Sequence, residues 1–170
     1  MTSQPSVPLM NQLLAAVTEL HTRLPSFPCR VLAYRECVPN GLFGVYVSLS
    51  GPSAEHVVGL LAAQPVWELL AELLDRDRPR SEARSVVEGG CELARAVAEA
   101  FRATLPDAEC VIGLPLFAEG MVSGDRRLEL QVTDVSFGGH PVLVVLFTRA
   151  AGQQRRLSSA PRVGAHGDAA

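Results

Sequence analysis

The stretch that most restricts how this chain can fold is SEARSVVEGGCELARAVAEAFRATL, from Ser81 to Leu105. At about 100° per residue, Val86, Gly90, Leu93, Val97 and Phe101 share one side of a helix, and Glu88, Glu92, Arg95, Glu99 and Arg102 share the other. One side must be buried and the other shown. Pro79 and Pro106 bound the segment, and Ser81 stands where an N-cap hydroxyl is expected to take an orphan backbone N–H. Gly89-Gly90 inside the helix is costly, on the order of 1 kcal/mol per glycine against alanine. The pair therefore predicts a close approach to this backbone, by a sheet beneath it or by a partner above it.

Around this helix the chain reads in order. Residues 1–7 hold little to bury and are expected to be disordered. From Pro8, the spacing of Leu9, Leu13, Val17, Leu20 and Leu24 predicts an amphipathic helix that halts at Pro25. Cys29 to Cys37 and Leu42 to Leu49 read as two strands of a hairpin closed by Asn40-Gly41, a pair suited to the positive φ of a tight turn. Ser53 is expected to cap a helix beginning at Ala54 that carries Val57, Val58, Leu60 and Leu61 and is interrupted at Pro65. A second helical stripe follows in Val66, Trp67, Leu69, Leu70, Leu73 and Leu74, and the charged run Asp75 to Arg80 reads as a solvated loop. After Pro106 come three expected strands, Ala108 to Leu114, Leu128 to Phe137 and Pro141 to Thr148, the last two joined at Gly138-Gly139-His140. The polar segment 150–170 has no apolar periodicity and is expected to be a disordered tail. Hairpins imply antiparallel neighbours, and helices with one apolar stripe imply a sheet to lie on. The expected fold is α+β, an antiparallel or mixed sheet with helices packed on it, in one domain spanning 8–149.

Composition supports one domain and narrows the partners. A chain of 170 residues, 48% hydrophobic, can build one core. Its formal net charge of -3 gives no electrostatic basis for nucleic-acid binding. No apolar run reaches the roughly 20 residues of a membrane-spanning helix, and no basic, then apolar leader opens the chain. The expected location is cytoplasmic, away from membranes. Cys29, Cys37, Cys91 and Cys110 are scattered, with neither a CxxC pair nor a histidine at ligand spacing, so they are expected to be free thiols, with no metal and no cofactor.

Catalytic signatures of the nucleophile-elbow, phosphate-loop, zinc-hydrolase and dinucleotide types are lacking. His21, His56, His140 and His166 read as a helix end, a helix, a hairpin turn and a tail. What remains is the polar stripe of the central helix. Glu88, Glu92, Arg95, Glu99 and Arg102 follow one another at spacings of four, three, four and three, so each can meet its neighbours along one face. By itself this is a row of solvated ion pairs, each worth a few tenths of a kcal/mol.

The segment EGGCELARAVAEAFRATLPDAECVIGLPLFAEG, Glu88 to Gly120, resembles the chemotaxis phosphatase family of CheX and CheC. That family carries Glu-x-x-Asn on a helix, followed after a short turn by a strand ending in Pro and then Gly. Glu92 stands at the glutamate, Cys110 to Leu114 at the strand, Pro115 at the proline and Gly120 at the glycine. The upstream order of helix, Asn40-Gly41, strand and helix is similar to the CheX type, over about residues 8–149. Arg95 stands where the family has asparagine. In the family the carboxamide is held to orient a water for in-line attack on the aspartyl-phosphate of a CheY-like receiver, while the glutamate engages a receiver lysine. A guanidinium has donors only and cannot accept a proton from water, although its planar fork suits an anion. No second Glu-x-x-Asn exists, because Asn11 follows Pro8 at that spacing and Asn40 follows Cys37.

The resemblance implies a two-component signalling protein that binds a CheY-like receiver through Glu88, Glu92, Arg95, Glu99 and Arg102, with phosphatase activity lost or altered. One alternative is an active response-regulator aspartyl-phosphate phosphatase using Glu92 with Arg95 or Glu88. Another is an unrelated α+β interaction protein. CheX-type proteins also imply a homodimer that pairs strands across subunits, and the run VLVVLF would be a hazard on a bare edge.

Overall fold

Residues 7–107, 109–120 and 129–150 are described by the computed structural model. Residues 1–6 of the expected disordered start and 151–170 of the expected tail lie outside them, as do Leu128 and His166. The chain opens with α1 (Val7–Glu19), extended by a 3-10 turn at Leu20–Thr22. Strands β1 (Cys29–Arg35), β2 (Phe43–Ser50) and β3 (Ala54–Ala62) follow, then α2 (Gln64–Asp77), α3 (Val86–Arg102), β4 (Val111–Ile112), β5 (Leu116–Glu119), β6 (Glu129–Phe137) and β7 (His140–Ala150). The strands form one antiparallel sheet in the order β1-β6-β7-β3-β2-β4, with β5 also pairing β2. The expected α+β class holds, with a sheet that is antiparallel throughout the described residues.

Strand periodicity divides the apolar side chains between the two faces of the sheet. Val45, Val47 and Leu49 of β2, Val58 and Leu60 of β3, and Val142, Val144 and Leu146 of β7 belong to the cluster shared with Leu13 and Val17 of α1, Trp67 of α2 and Val97 and Phe101 of α3. Each such side chain contributes about 1.5–3 kcal/mol on leaving water. The intervening residues Tyr46, Leu61, Leu143, Val145 and Phe147 form a smaller cluster on the opposite face with Val132. Tyr46 lies across Gly59, where an added Cβ would sit 2.8 Å from the ring, and its hydroxyl donates to the Gly120 carbonyl at 3.0 Å. Among the described residues, no helix is long and apolar enough to cross a membrane.

Three sequence expectations are corrected by this topology. The two strands flanking Asn40-Gly41 are not a hairpin. β1 pairs β6, from Cys29 opposite Phe137 to Arg35 opposite Val132, whereas β2 pairs β3, so they lie toward opposite ends of the sheet. The reason is burial. β2 is apolar on both faces and belongs inside, while β1 is exposed along nearly its whole length, with a bulge between Val31 and Ala33, and suits an edge.

The segment from Ala54 is a strand rather than a helix capped by Ser53. Its run of Val57, Val58, Leu60 and Leu61 fits an inner strand covered on both sides, an ambiguity that periodicity alone cannot resolve. Pro65 interrupts nothing, because it occupies the first turn of α2, where its missing N–H is no loss.

The C-terminal hairpin forms through Gly138 and Gly139, both at positive φ, but β7 runs between β6 and β3. VLVVLF is therefore covered, and the bare-edge reason for strand pairing between subunits is removed.

Candidate functional site

The α3 helix is set by its cap and by two glycines. Its N-cap is Ser85, not Ser81: the Ser85 hydroxyl accepts from the Glu88 N–H at 3.2 Å, and Glu88 Oε2 accepts from the Ser85 N–H at 2.9 Å. This is a capping box, which fixes the first turn from both directions. Gly89 lies against α2, where an added Cβ would be 3.0 Å from Ala71 Cβ. Gly90 lies against the sheet, 3.0 Å by the same measure from Val45 Cγ2. The close approach predicted for the pair is thus internal, made by β2 and α2. Gly90, Leu93, Val97 and Phe101 are buried, as their spacing requires, and Val86 is partly buried.

On the other side of α3, Glu88, Arg95, Glu99 and Arg102 are exposed and Glu92 is partly covered. The continuous ladder of neighbours does not form. Arg95 Nε donates to Glu99 Oε1 at 3.2 Å, but among the described residues no ion pair joins Glu92 to Arg95.

Glu92 is held elsewhere, by a residue the sequence did not single out. Arg84 lies in the linker between α2 and α3, with its side chain 3% exposed. Its Nε donates to Glu92 Oε2 at 2.7 Å and its Nη2 to Glu92 Oε1 at 3.3 Å. Its Nη1 donates to Asp75 Oδ1 at 2.6 Å and to the Arg78 carbonyl at 2.7 Å. Arg78 Nη1 adds a second cation, 3.3 Å from Glu92 Oε1. The run Asp75 to Arg80 is accordingly no simple solvated loop. Asp75 to Asp77 complete α2, Asp75 and Arg78 join this network, and Asp77 accepts from the Ser26 N–H and hydroxyl at 2.9 and 2.7 Å. Nothing in the spacing marks Arg84, because it reaches Glu92 from a non-helical linker where the three- and four-residue rule does not apply.

The network polarises its members. Partial burial pushes the Glu92 carboxyl up, but the hydrogen bonds and charges of Arg84 and Arg78 outweigh it and hold the group below the ordinary glutamate value. The Arg84 guanidinium holds Asp75 below the usual carboxylate range, and Arg84 in turn is raised, first by Glu92. Glu88 is lowered by the Ser85 backbone N–H it accepts.

After α3 the chain returns to the sheet edge. Of the strand expected over Ala108 to Leu114, Ala108 lies outside the described residues and the described part is strand only in β4, followed after Leu114-Pro115 by β5, which the sequence reading did not assign. Phe117 of β5 packs edge-on to Trp67 at a ring separation of 6.0 Å, which ties this edge to α2. Gly120 ends β5 at φ +72°, with its N–H bonded to the Leu42 carbonyl at 2.7 Å. His56, expected on a helix, is buried in β3, with Nδ1 3.3 Å from Thr148 Oγ1 and its ring edge-on to Phe101. The four cysteines carry free thiols. Burial raises Cys29, Cys91 and Cys110, the opposite of what a reactive thiol requires.

No family model matches the sequence, and neither does any curated protein. Solved structures do match. Chemotaxis protein CheX from Vibrio vulnificus superposes with a TM-score of 0.66 at 10% identity, covering 84% of this chain and 99% of its own. A CheX crystallised with CheY, BeF3 and Mg from Borrelia burgdorferi gives 0.60 at 18% identity, over 83% and 97%. FliY from Thermotoga maritima gives 0.55 at 13% identity, over 93% and 96%. The chain has the CheX/CheC fold.

Within this CheX-like fold, the chemistry available on α3 is limited by its hydrogen-bonding groups. Both oxygens of Glu92 already accept from arginines, so the carboxylate has little left for an incoming water or cation. Arg95, with its side chain 57% exposed, uses its Nε on Glu99 and presents the rest of its fork outward. The CheX-like chain therefore offers a planar donor at the position where the sequence resemblance places a carboxamide.

Proposed function

We propose that this chain is a two-component, chemotaxis-type signalling protein whose domain, residues 8–149, acts in the cytoplasm by binding a CheY-like receiver through the exposed stripe of α3, without hydrolysing the receiver's phosphate by an amide-oriented water. Glu88, Glu92, Arg95, Glu99 and Arg102 compose the contact face. The observation that carries this reading is the state of the central pair: Glu92 is engaged by the buried Arg84 and the half-exposed Arg78, and Arg95 beside it has only donors. Phosphoryl transfer leaves a protein little to do besides position the attacking water and stabilise charge. A face whose carboxylate is occupied and whose amide is replaced by a guanidinium can supply charge but not that positioning. The likeness to a CheX that was crystallised with CheY supports the choice of partner class.

The test mixes purified protein with phosphorylated receivers of the same organism and follows both association and phosphate loss. The expected result is association that leaves the rate of phosphate loss unchanged. Acceleration that disappears in Glu92→Ala would instead establish a phosphatase, and failure of every receiver to bind would remove the reading altogether.

A further inference from the structure

We propose that Arg84 is a built-in counter-ion that closes Glu92 to any outside cation, so that the group α3 offers its partner at this point is Arg95 and the complementary surface is acidic. This rests on the receiver-binding reading and adds the chemistry of the contact. A carboxylate on a docking face ordinarily recruits a cation from the partner. Glu92 has one already, on the short Nε to Oε2 bond of 2.7 Å, from a guanidinium whose side chain is 3% exposed and which Asp75 and the Arg78 carbonyl hold from behind. Displacing that guanidinium would strip a buried charge of both its bonds to Glu92 and leave it to Asp75 alone, which is more costly than rearranging a solvated pair.

The remaining carboxylates of the stripe are also engaged by the chain, Glu88 in the helix cap and Glu99 with Arg95. The cations differ. Arg95 and Arg78 are 57% and 45% exposed, and among the described residues each spends one N–H on a carboxylate of this face. Their remaining N–H groups point to an acceptor-rich surface, one carrying carboxylates, which a guanidinium fork engages two oxygens at a time.

The two halves are tested on the full-length chain. For the closure, the glutamate side-chain carboxyl resonances are followed by carbon NMR through an acid titration. Glu92 is expected to titrate below the ordinary glutamate value, and titration at that value overturns the closure whether or not a receiver binds. For the contact, affinity is measured by calorimetry against beryllofluoride-loaded receiver. Arg95→Glu is expected to weaken binding at least tenfold, and added salt to weaken the wild type. Arg84→Met leaves the Glu92 carboxylate with only the half-exposed Arg78 as counter-ion and is expected to weaken binding several-fold, with Glu92→Gln in the same chain restoring it, a rescue that mere misfolding would not give. If Arg84→Met tightens binding, or Glu92→Gln alone weakens it tenfold, the partner brings a cation and the proposal is overturned. Where Arg84→Met does not fold, Glu92→Gln alone decides the contact. If no receiver binds the wild type, the functional reading and the acidic contact fall together, and the titration still decides the closure.

Discussion

Gly90 of α3 rests against Val45 of β2 so closely that a Cβ on the glycine would stand 3.0 Å from Val45 Cγ2, with Trp67 and Phe117 at 3.4 and 3.5 Å on the other sides. Alanine there gains about 1 kcal/mol of helix propensity. It also overfills a site enclosed by three core side chains, at about 1–3 kcal/mol. Gly90→Ala is therefore expected to lose about 1 kcal/mol net, read as a lower urea midpoint with an unchanged slope. A rise in the midpoint would show that α3 can move off the sheet.

The cap of the same helix gives a contrast between two serines four residues apart. Ser85→Ala removes the acceptor of the Glu88 N–H and is expected to cost about 1 kcal/mol. Ser81→Ala lies outside α3 and is expected to leave the urea midpoint unchanged. Equal effects would contradict the helix start at Val86.

Trp67 is fully buried, and its Nε1–H donates to the Phe43 carbonyl at 2.9 Å. Trp67→Phe leaves that carbonyl without its donor and opens a void, so a loss of about 2–4 kcal/mol is expected. Because it is the single tryptophan of the chain, wild-type fluorescence reports the same core. Its emission should be blue-shifted and resist iodide quenching until the protein unfolds.

Acid should act first through His56. Burial holds its imidazole below the ordinary 6.5, so the folded protein keeps it neutral while the unfolded chain takes up a proton. The unfolded state then binds more protons, and stability, complete above the unfolded value, declines as pH falls below about 6.5. Asp75, Glu88 and Glu92 are lowered from 3.8, 4.5 and 4.5, so what they contribute is lost only in more acidic solution. Urea midpoints measured at about pH 7.5 and about pH 5.5 should differ in the wild type and converge in His56→Gln. An unchanged difference in the variant would place the titrating group elsewhere.

Two arginines of the α3 region should behave unlike each other. Arg84 is buried and braces α2, the linker and α3, so Arg84→Met is expected to lower the melting temperature clearly. Arg95 is exposed and, among the described residues, pairs only with Glu99 one turn on, so Arg95→Met should leave it within error. Equal losses would mean that Arg84 is not the brace.

The legible parts of this chain were those in which local pattern and tertiary role coincide. The apolar stripe of α3, the α1 stripe from Leu9 to Leu20 and the Gly138-Gly139 turn each follow from spacing that packing then uses. Ala54 to Ala62 resists such reading because four large aliphatic residues in a run of nine satisfy helix and buried strand alike, and only neighbours on both sides choose between them. The partner of β1 was hidden for a different reason: Asn40-Gly41 does make a left-handed turn, with Gly41 at φ +79°, yet local turn chemistry does not determine which strand lies alongside. The α3 stripe was visible, but the engagement of Glu92 was not, because Arg84 reaches it through a linker whose path depends on how α2 ends.

The pairing of Arg35 with Val132 has a consequence for how the protein is made. The outermost strand leaves the ribosome almost a hundred residues before the strand that receives it, and β3 likewise waits for β7. The N-terminal half therefore cannot bury its strands alone, and synthesis must run almost to its end before the sheet closes. A polypeptide stopped after α3 should be captured by chaperones rather than accumulate as a native-like intermediate.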